Sequence, residues 1–407
     1  MTDRSIQLAL KTEMNTKLRF NYSRGKYFSG NSLIARNPSN GASEPGRDLM
    51  KKCICCLAIS FVLLSMVCFS GCGSGNGTWT STGGEVSKFD ASPLVYDSTH
   101  NVLYAGCEQQ VGQAGETAGR GVWKYDGGSW TDTGGAISHY YIASFAYDST
   151  HNLLYAGCYK MSPGEVSSQE IHGVGVWKYN GKTWTDTGGP KKPSHVVALA
   201  YDSAHRVLYA ACESSYLSTT GGVWKYDGKR WTDTGLDSSR YSISSFAYDV
   251  KHNLLYAGIM SGSGVLKYTG SEWLDTGWGV STYWVNCLAY DSARNLLYAG
   301  AGAGTADINH FGHSVWKYDG TNWTDTGGAV SNYSVNSLAC DSAHNTIYAS
   351  CYQNAGGKGV WKYDGTTWTD TGLRVSSYRI TSLAYDSVHN TLYAGTHDNG
   401  VWKYDGH

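Results

Sequence analysis

Charge is scarce in this chain. Only 16% of its 407 residues are Asp, Glu, Lys or Arg, and the formal net charge is −1. That balance excludes the basic footprint of a nucleic-acid binder. Catalytic signatures are equally thin, for no HExxH, GxSxG or CxxC arrangement occurs beyond residue 72. Long apolar runs are missing too. The one apolar stretch, ending at Phe69, is too short and wrongly flanked for a mature membrane span. What the chain does have is 51 Gly, 31 Tyr and 15 Trp. Many glycines with many aromatics suit short strands and tight turns, not helices.

The apolar stretch has the layout of a secretory signal peptide. Met50 is followed by Lys51 and Lys52, an apolar run, and then small residues before Cys72. "FSGC", Phe69 to Cys72, resembles the bacterial lipobox, although Phe69 stands where Leu is usual. The resemblance implies a lipid-attached Cys72 as mature N-terminus and a membrane link by that anchor only. A transmembrane anchor is the other reading. Residues 1–49 lack hydrophobic periodicity and are either a mis-assigned start or a disordered extension; 50–71 are the signal and 72–75 a short linker. From residue 72 onward 22 basic face 29 acidic residues, a formal charge of −7. An acidic exported protein is a poor nucleic-acid binder.

Three phrases then recur in fixed order, seven copies of each, at spacings of 41 to 54 residues. "LAYDSxHNxLYAG" begins near Tyr96, Tyr147, Tyr201, Tyr248, Tyr290, Cys340 and Tyr385. "VWKYDG" centres on Trp123, Trp177, Trp224, Leu266, Trp316, Trp361 and Trp402. "WTDTG" starts at Trp79, Trp130, Trp184, Trp231, Trp273, Trp323 and Trp368. Each unit predicts four strands, with an Asp-Ser/His-Asn turn after the first and an Asp-Gly turn after the third. Such a sheet carries large residues on both faces and buries them only by stacking against copies of itself. A four-stranded unit of this length is a propeller blade. The chain ends on "GVWKYDGH", a third strand without its outer partner, and its repeats begin at "GTWTSTGG", an outer strand without a third. Trp79 is therefore expected to complete the last blade. The predicted fold is all-β, a seven-bladed β-propeller of four-stranded antiparallel blades spanning 76–407.

The repeat "LYAG…GVWKYDGxxWTDTG" resembles the Kelch-type repeat, and also the Asp-box (BNR) repeat of sialidase-like propellers. It departs from both: Cys107, Cys158 or Thr396 replaces the second Kelch glycine, the Asp-box serine is absent, and Asp126 to Trp130 is one residue short. The resemblance speaks for architecture, not for activity. Sialidase-like catalysis uses an arginine cluster, yet only seven Arg follow residue 72. Of these, Arg206, Arg230 and Arg294 fall in turns on the wrong face.

In a meander of four strands, the turns after the first and third strands share one side of the disc, the turn face. The second-to-third loops and the crossings between blades share the other, the loop face. Sequence that breaks the repeat is where function is sought. His100, His151, His205, His252, His344 and His389 sit one per blade in turns and do not converge, so they are read as turn residues, not metal ligands. Phe89, Tyr140, Ser194, Tyr241, Tyr283, Tyr333 and Tyr378 enter the first strands from the loop face. They either pack between blades or form an aromatic collar that stacks on a ligand. The next position diverges: Asp90, Tyr141, His195, Ser242, Trp284, Ser334 and Arg379. Trp278 and Trp284 lie outside the repeated positions, in one crossing, "GWGVSTYW", with Phe311, His310 and His313 in the adjacent loop. They either serve binding or cover a blade edge. The expected ligand site is Trp278, Tyr283, Trp284 and Phe311, extended by Phe89, Tyr140, Tyr141, His195, Tyr241, Tyr333 and Tyr378.

The expected role is non-catalytic binding of a glycan or an envelope protein by a monomeric, exported module. No cofactor and no metal are expected. Glu108, Glu116, Glu165, Glu170 and Glu213 fall in loop-face segments and keep a carbohydrate-active enzyme open as the alternative. Cys107, Cys158, Cys212 and Cys351 share one register, too far apart from blade to blade for disulfides. With Cys287 and Cys340 they are expected to be small thiols.

Overall fold

A computed structural model describes residues 77–111, 116–161, 171–190, 195–213, 222–236, 240–260, 262, 264–302, 314–353 and 356–406. The signal segment, Cys72, Ser194 and Phe311 lie outside the described residues. No helix among the described residues is long and apolar enough to cross a membrane.

Seven four-stranded sheets follow one another, each a meander whose sequential strands are neighbours. Six occupy 90–132, 141–186, 195–233, 243–275, 284–325 and 334–370. The seventh combines the last three strands, within 380–405, with the N-terminal strand Thr78–Ser81. This seam answers the question of the orphan strand. Trp79 pairs with Tyr404 and Ser81 with Trp402. The Trp79 indole is 3% exposed, lies 5.0 Å from the Tyr404 ring and donates Nε1–H to Thr371 Oγ1 of blade 6 at 3.1 Å.

The repeated phrases now have physical assignments. In "YDG", Asp126 Oδ1 accepts the N–H groups of Gly128 and Ser129, while Gly127 takes φ +95°, a conformation only glycine adopts without strain. Those backbone donors hold the Asp126 carboxyl below its ordinary range. In "WTDT", the Trp of one blade donates Nε1–H to the Thr of the blade before it. Examples are Trp130 to Thr82 at 3.0 Å, Trp184 to Thr133 at 3.0 Å and Trp323 to Thr276 at 3.0 Å. That Thr hydroxyl donates in turn to its own sheet, as Thr133 does to the Val122 carbonyl at 2.7 Å. The motif is an inter-blade clamp. Trp231 departs from it: its Nε1 is buried without a partner among the described residues.

On the turn face, "YDSxHN" builds a second tie. Asp148 is 1% exposed and accepts the N–H groups of Thr150 and His151 and a contact from His151 Nδ1 at 2.7 Å. Tyr201 of the next blade adds its hydroxyl at 2.6 Å. The His ring is thus a turn device, as its spacing predicted. At one junction the pattern changes on both sides. Cys340 replaces the Tyr, and Arg294 replaces the His; its Nη1 donates to Asp291 at 3.0 Å and reaches the Ser342 carbonyl of blade 6 at 2.9 Å. A longer cation spans the gap that the shorter thiol leaves.

Burial, with the bonded Asp of the preceding blade, pushes the phenols of Tyr96, Tyr147, Tyr201, Tyr248, Tyr290 and Tyr385 well above their ordinary 10. Second-strand tyrosines such as Tyr104 and Tyr209 are pushed up by burial to about 12. These raised values stabilise the fold fully below the unfolded value and lose that contribution as pH climbs through the folded ones. The melting temperature should therefore be flat near neutrality and fall steadily between pH 10 and 12. A flat profile across that window would contradict the latch.

The apolar core is divided into slabs between blades. One joins Ala198, Tyr209 and Val223 of blade 3 to Ile243, Phe246 and Leu255 of blade 4. None of the six described cysteines is in a disulfide; five are buried and Cys340 is half-buried. The innermost strands surround a central channel of ≈ 350 Å³ lined by residues from all seven blades, among them Ser144, Ser245, Ser337 and Ser382. Each of these four hydroxyls accepts a backbone N–H from the neighbouring blade, 2.9 to 3.1 Å away.

Candidate functional site

The divergent positions gather at the loop-face end of the channel. Each innermost strand begins there and each second strand ends there, so their terminal residues pair across the sheet. Asp90 pairs with Glu108, Tyr141 with Tyr159, His195 with Glu213, Trp284 with Gly302, and Ser334 with Tyr352. In blade 4 the Met260 N–H donates to the Ser242 carbonyl at 2.9 Å, and in blade 7 the His397 N–H to the Arg379 carbonyl at 3.0 Å. Paired residues project from the same side of a sheet. The result is an asymmetric ring on a symmetric frame.

Its polar part runs from blade 7 to blade 4. His397 Nε2 lies 3.3 Å from Asp90 Oδ2, and His397 Nδ1 lies 2.7 Å from Asp398 Oδ2. The Asp398 N–H donates to Asp90 Oδ1 at 2.5 Å. Asp90 is 7% exposed, and this burial pushes its carboxyl up against the opposing hydrogen bond from the Asp398 N–H. Burial, then the charge of Asp90, pushes Glu108 up as well. Burial and then Glu108 raise the Tyr159 phenol. The Tyr159 ring stacks on Tyr141 at 5.0 Å and meets His195 edge-on at 4.7 Å. His195 Nδ1 lies 3.6 Å from Glu213 Oε2, and Ser242 Oγ is 3.4 Å from Glu213 Oε1. The His195 contact draws Glu213 below its ordinary value. Two carboxyls in one rim are thus tuned in opposite directions, the arrangement that separates acid from base roles.

The aromatic residues expected at the mouth distribute differently. Phe89 is buried against Trp123 at 5.7 Å, and Tyr140, Tyr283, Tyr333 and Tyr378 each pack on the third-strand Trp of their own blade at 5.5 to 6.1 Å. Tyr241, where blade 4 has Leu266 instead of Trp, joins the core slab. Lys160 Nζ sits 4.6 Å from the Tyr140 ring centroid. These side chains cover blades, and they keep only part of their surface for a ligand. Tyr141 is 4% exposed beneath Tyr159. Trp284 is half-buried at the mouth, its Nε1 without a partner among the described residues. Trp278 is 90% exposed. It starts the same crossing farther out, since the next residue, Gly279, abuts Trp323 of the outer strand and Trp316 of the third.

Sequence reasoning named Asp90 and Arg379 as divergent and Glu108 and Glu213 as loop-face acids, but put none of them in the site. Tyr159, His397 and Asp398 escaped it. A signal was present: the residue just after "LYAGC" reads Glu108, Tyr159, Glu213, Met260, Gly302, Tyr352 and His397, as variable as the opposing position.

No protein-family model matches this chain, and no curated protein matches it. Solved structures do share its fold. The extracellular domain of BT4673 from B. thetaiotaomicron is 19% identical with a TM-score of 0.54, over 77% of this chain and 38% of that one. A Niastella koreensis GH74 enzyme is 17% identical with a TM-score of 0.56, over 78% of this chain and 52% of that one. U3-55K is 12% identical with a TM-score of 0.51, over 80% and 98%. This chain spans about half or less of the first two. At these identities the likeness shows the β-propeller and nothing finer.

Proposed function

We propose that this chain is an exported, lipid-anchored and monomeric β-propeller that binds a glycan at the loop-face mouth of its channel without transforming it. The observation that carries the reading is the confinement of divergence. The turn face repeats the same Asp, His and Tyr ties at every junction but that of Arg294 and Cys340, whereas the mouth carries a different residue pair in every blade. Half-buried Trp284, Tyr159 and Tyr352 offer stacking surface, and Asp90, Glu108, His195 and Glu213 offer hydrogen-bonding groups for hydroxyls. The blade-closing strand enters at Gly77 beside Asp405, on the turn face.

A glycan array followed by titration calorimetry tests the reading. Trp284→Ala should weaken binding about 30-fold, in line with a dominant stacking residue worth about 2 kcal/mol. Trp278→Ala should weaken it less, and neither should move the melting temperature by more than a degree or two. Early unfolding with unchanged affinity would make both packing residues. Mass spectrometry of the mature N-terminus reads the anchor separately; retained residues 50–71 or an unmodified Cys72 would remove it.

One observation favours a second reading, a carbohydrate-active enzyme. Glu108 and Glu213 are tuned in opposite directions on one rim, and the GH74 enzyme shows that the fold can carry catalysis. Turnover of a bound glycan that is abolished by Glu108→Gln with affinity retained would establish it.

A further inference from the structure

We infer that the junction of blades 7 and 1 is a divalent-cation site, with Asp90 and His397 as ligands and Asp398 as the residue that positions His397. Neither the sequence nor the fold suggested a metal, and the inference stands whatever the mouth binds.

The geometry is that of a built site. Asp90 Oδ2 and His397 Nε2 are 3.3 Å apart. Two donors each 2.0–2.1 Å from one ion at a tetrahedral angle lie about 3.3–3.4 Å apart. The other ring nitrogen, Nδ1, meets Asp398 Oδ2 at 2.7 Å. That is the carboxylate–histidine–metal relay, in which an outer carboxylate fixes the tautomer and ring orientation of a ligand. Asp398 also aims Asp90, through its N–H on Oδ1 at 2.5 Å. One oxygen or nitrogen from each of Asp90, His397 and Asp398 lies within 4.8 Å of the others.

Charge counting gives a second argument. Asp90 and Asp398 place two carboxyls on one ring, Glu108 stands opposite Asp90 in the sheet, and no Lys or Arg is ion-paired to any of them among the described residues. Asp90 is 7% exposed, so water does little to offset its charge. The fold itself does not need these groups, because the positions of Asp90 in blades 2, 4, 5 and 6 hold Tyr141, Ser242, Trp284 and Ser334. Imidazole nitrogen with carboxylate oxygens suits a first-row divalent ion, of which Zn²⁺ and Mn²⁺ are the probes used below.

The test is calorimetric titration of the untagged, metal-stripped protein with ZnCl₂ and, separately, MnCl₂. One ion per chain is expected, together with a rise in melting temperature on loading. His397→Ala should weaken binding at least tenfold and abolish that rise. Asp398→Asn, which retains a side-chain acceptor for Nδ1–H but loses its charge, should weaken it less than His397→Ala does. His151→Ala, on the turn face, should change nothing. Absence of saturable binding by either ion overturns the inference, as does binding that His397→Ala leaves unchanged. Because His397→Ala alters a half-buried ring, circular dichroism of the stripped variants verifies that a loss reflects the ligand and not the fold.

Discussion

Trp79→Ala is expected to destabilise the propeller by about 3–5 kcal/mol, the range for truncating a buried Trp. Residues 77–81 are a minute part of the chain, yet they close the circle. Trp79 fills the seam against Tyr404 and ties blade 7 to Thr371 of blade 6. Without its indole the closing strand keeps only its backbone pairing, and the slab between blades 6 and 7 loses its outer wall. Urea unfolding reads the effect. Trp278→Ala is the matched control, because a side chain that is 90% exposed should contribute within about 0.5 kcal/mol. Equal stability of Trp79→Ala and the wild type would show that the indole does not hold the seam.

Asp148→Ala is expected to cost about 3 kcal/mol. It removes a buried acceptor and strands two backbone N–H groups, the His151 ring and the Tyr201 hydroxyl at once. Tyr201→Phe should cost only about 1 kcal/mol, since it removes one bond and leaves the turn intact. The double variant should cost less than the sum, because both changes delete the same inter-blade bond. Strict additivity would place the two residues in separate roles and dissolve the latch.

The extent to which the sequence foretold this molecule follows from distance along the chain. The Asp126 turn and the strand pairs lie within a few residues of one another, so their pattern was legible. The seam was legible as well, because a third strand ending in "GVWKYDGH" needs a partner and "GTWTSTGG" needs the reverse. The Asp–Tyr latch was not, since Asp148 and Tyr201 stand 53 residues apart and each reads as a local turn or strand residue. Nor was the Asp90–Asp398 contact, 308 residues apart, which exists only because the circle closes. Tyr140 and its equivalents were placed on the right face, but the sequence could not show that the third-strand Trp of the same blade lies within 6.1 Å of it. The divergent positions were noticed in the first strands and overlooked in the second, where half of the rim resides.

The central claim is that ligand binding belongs to the asymmetric mouth and not to the repeated turn face. Titration of one glycan ligand, taken from the array, into two variants of equal stability tests it most directly: Trp284→Ala at the mouth and His205→Ala on the turn face. The account predicts a loss of about 30-fold for the first and an unchanged affinity for the second. Full affinity in Trp284→Ala together with a loss in His205→Ala would contradict it.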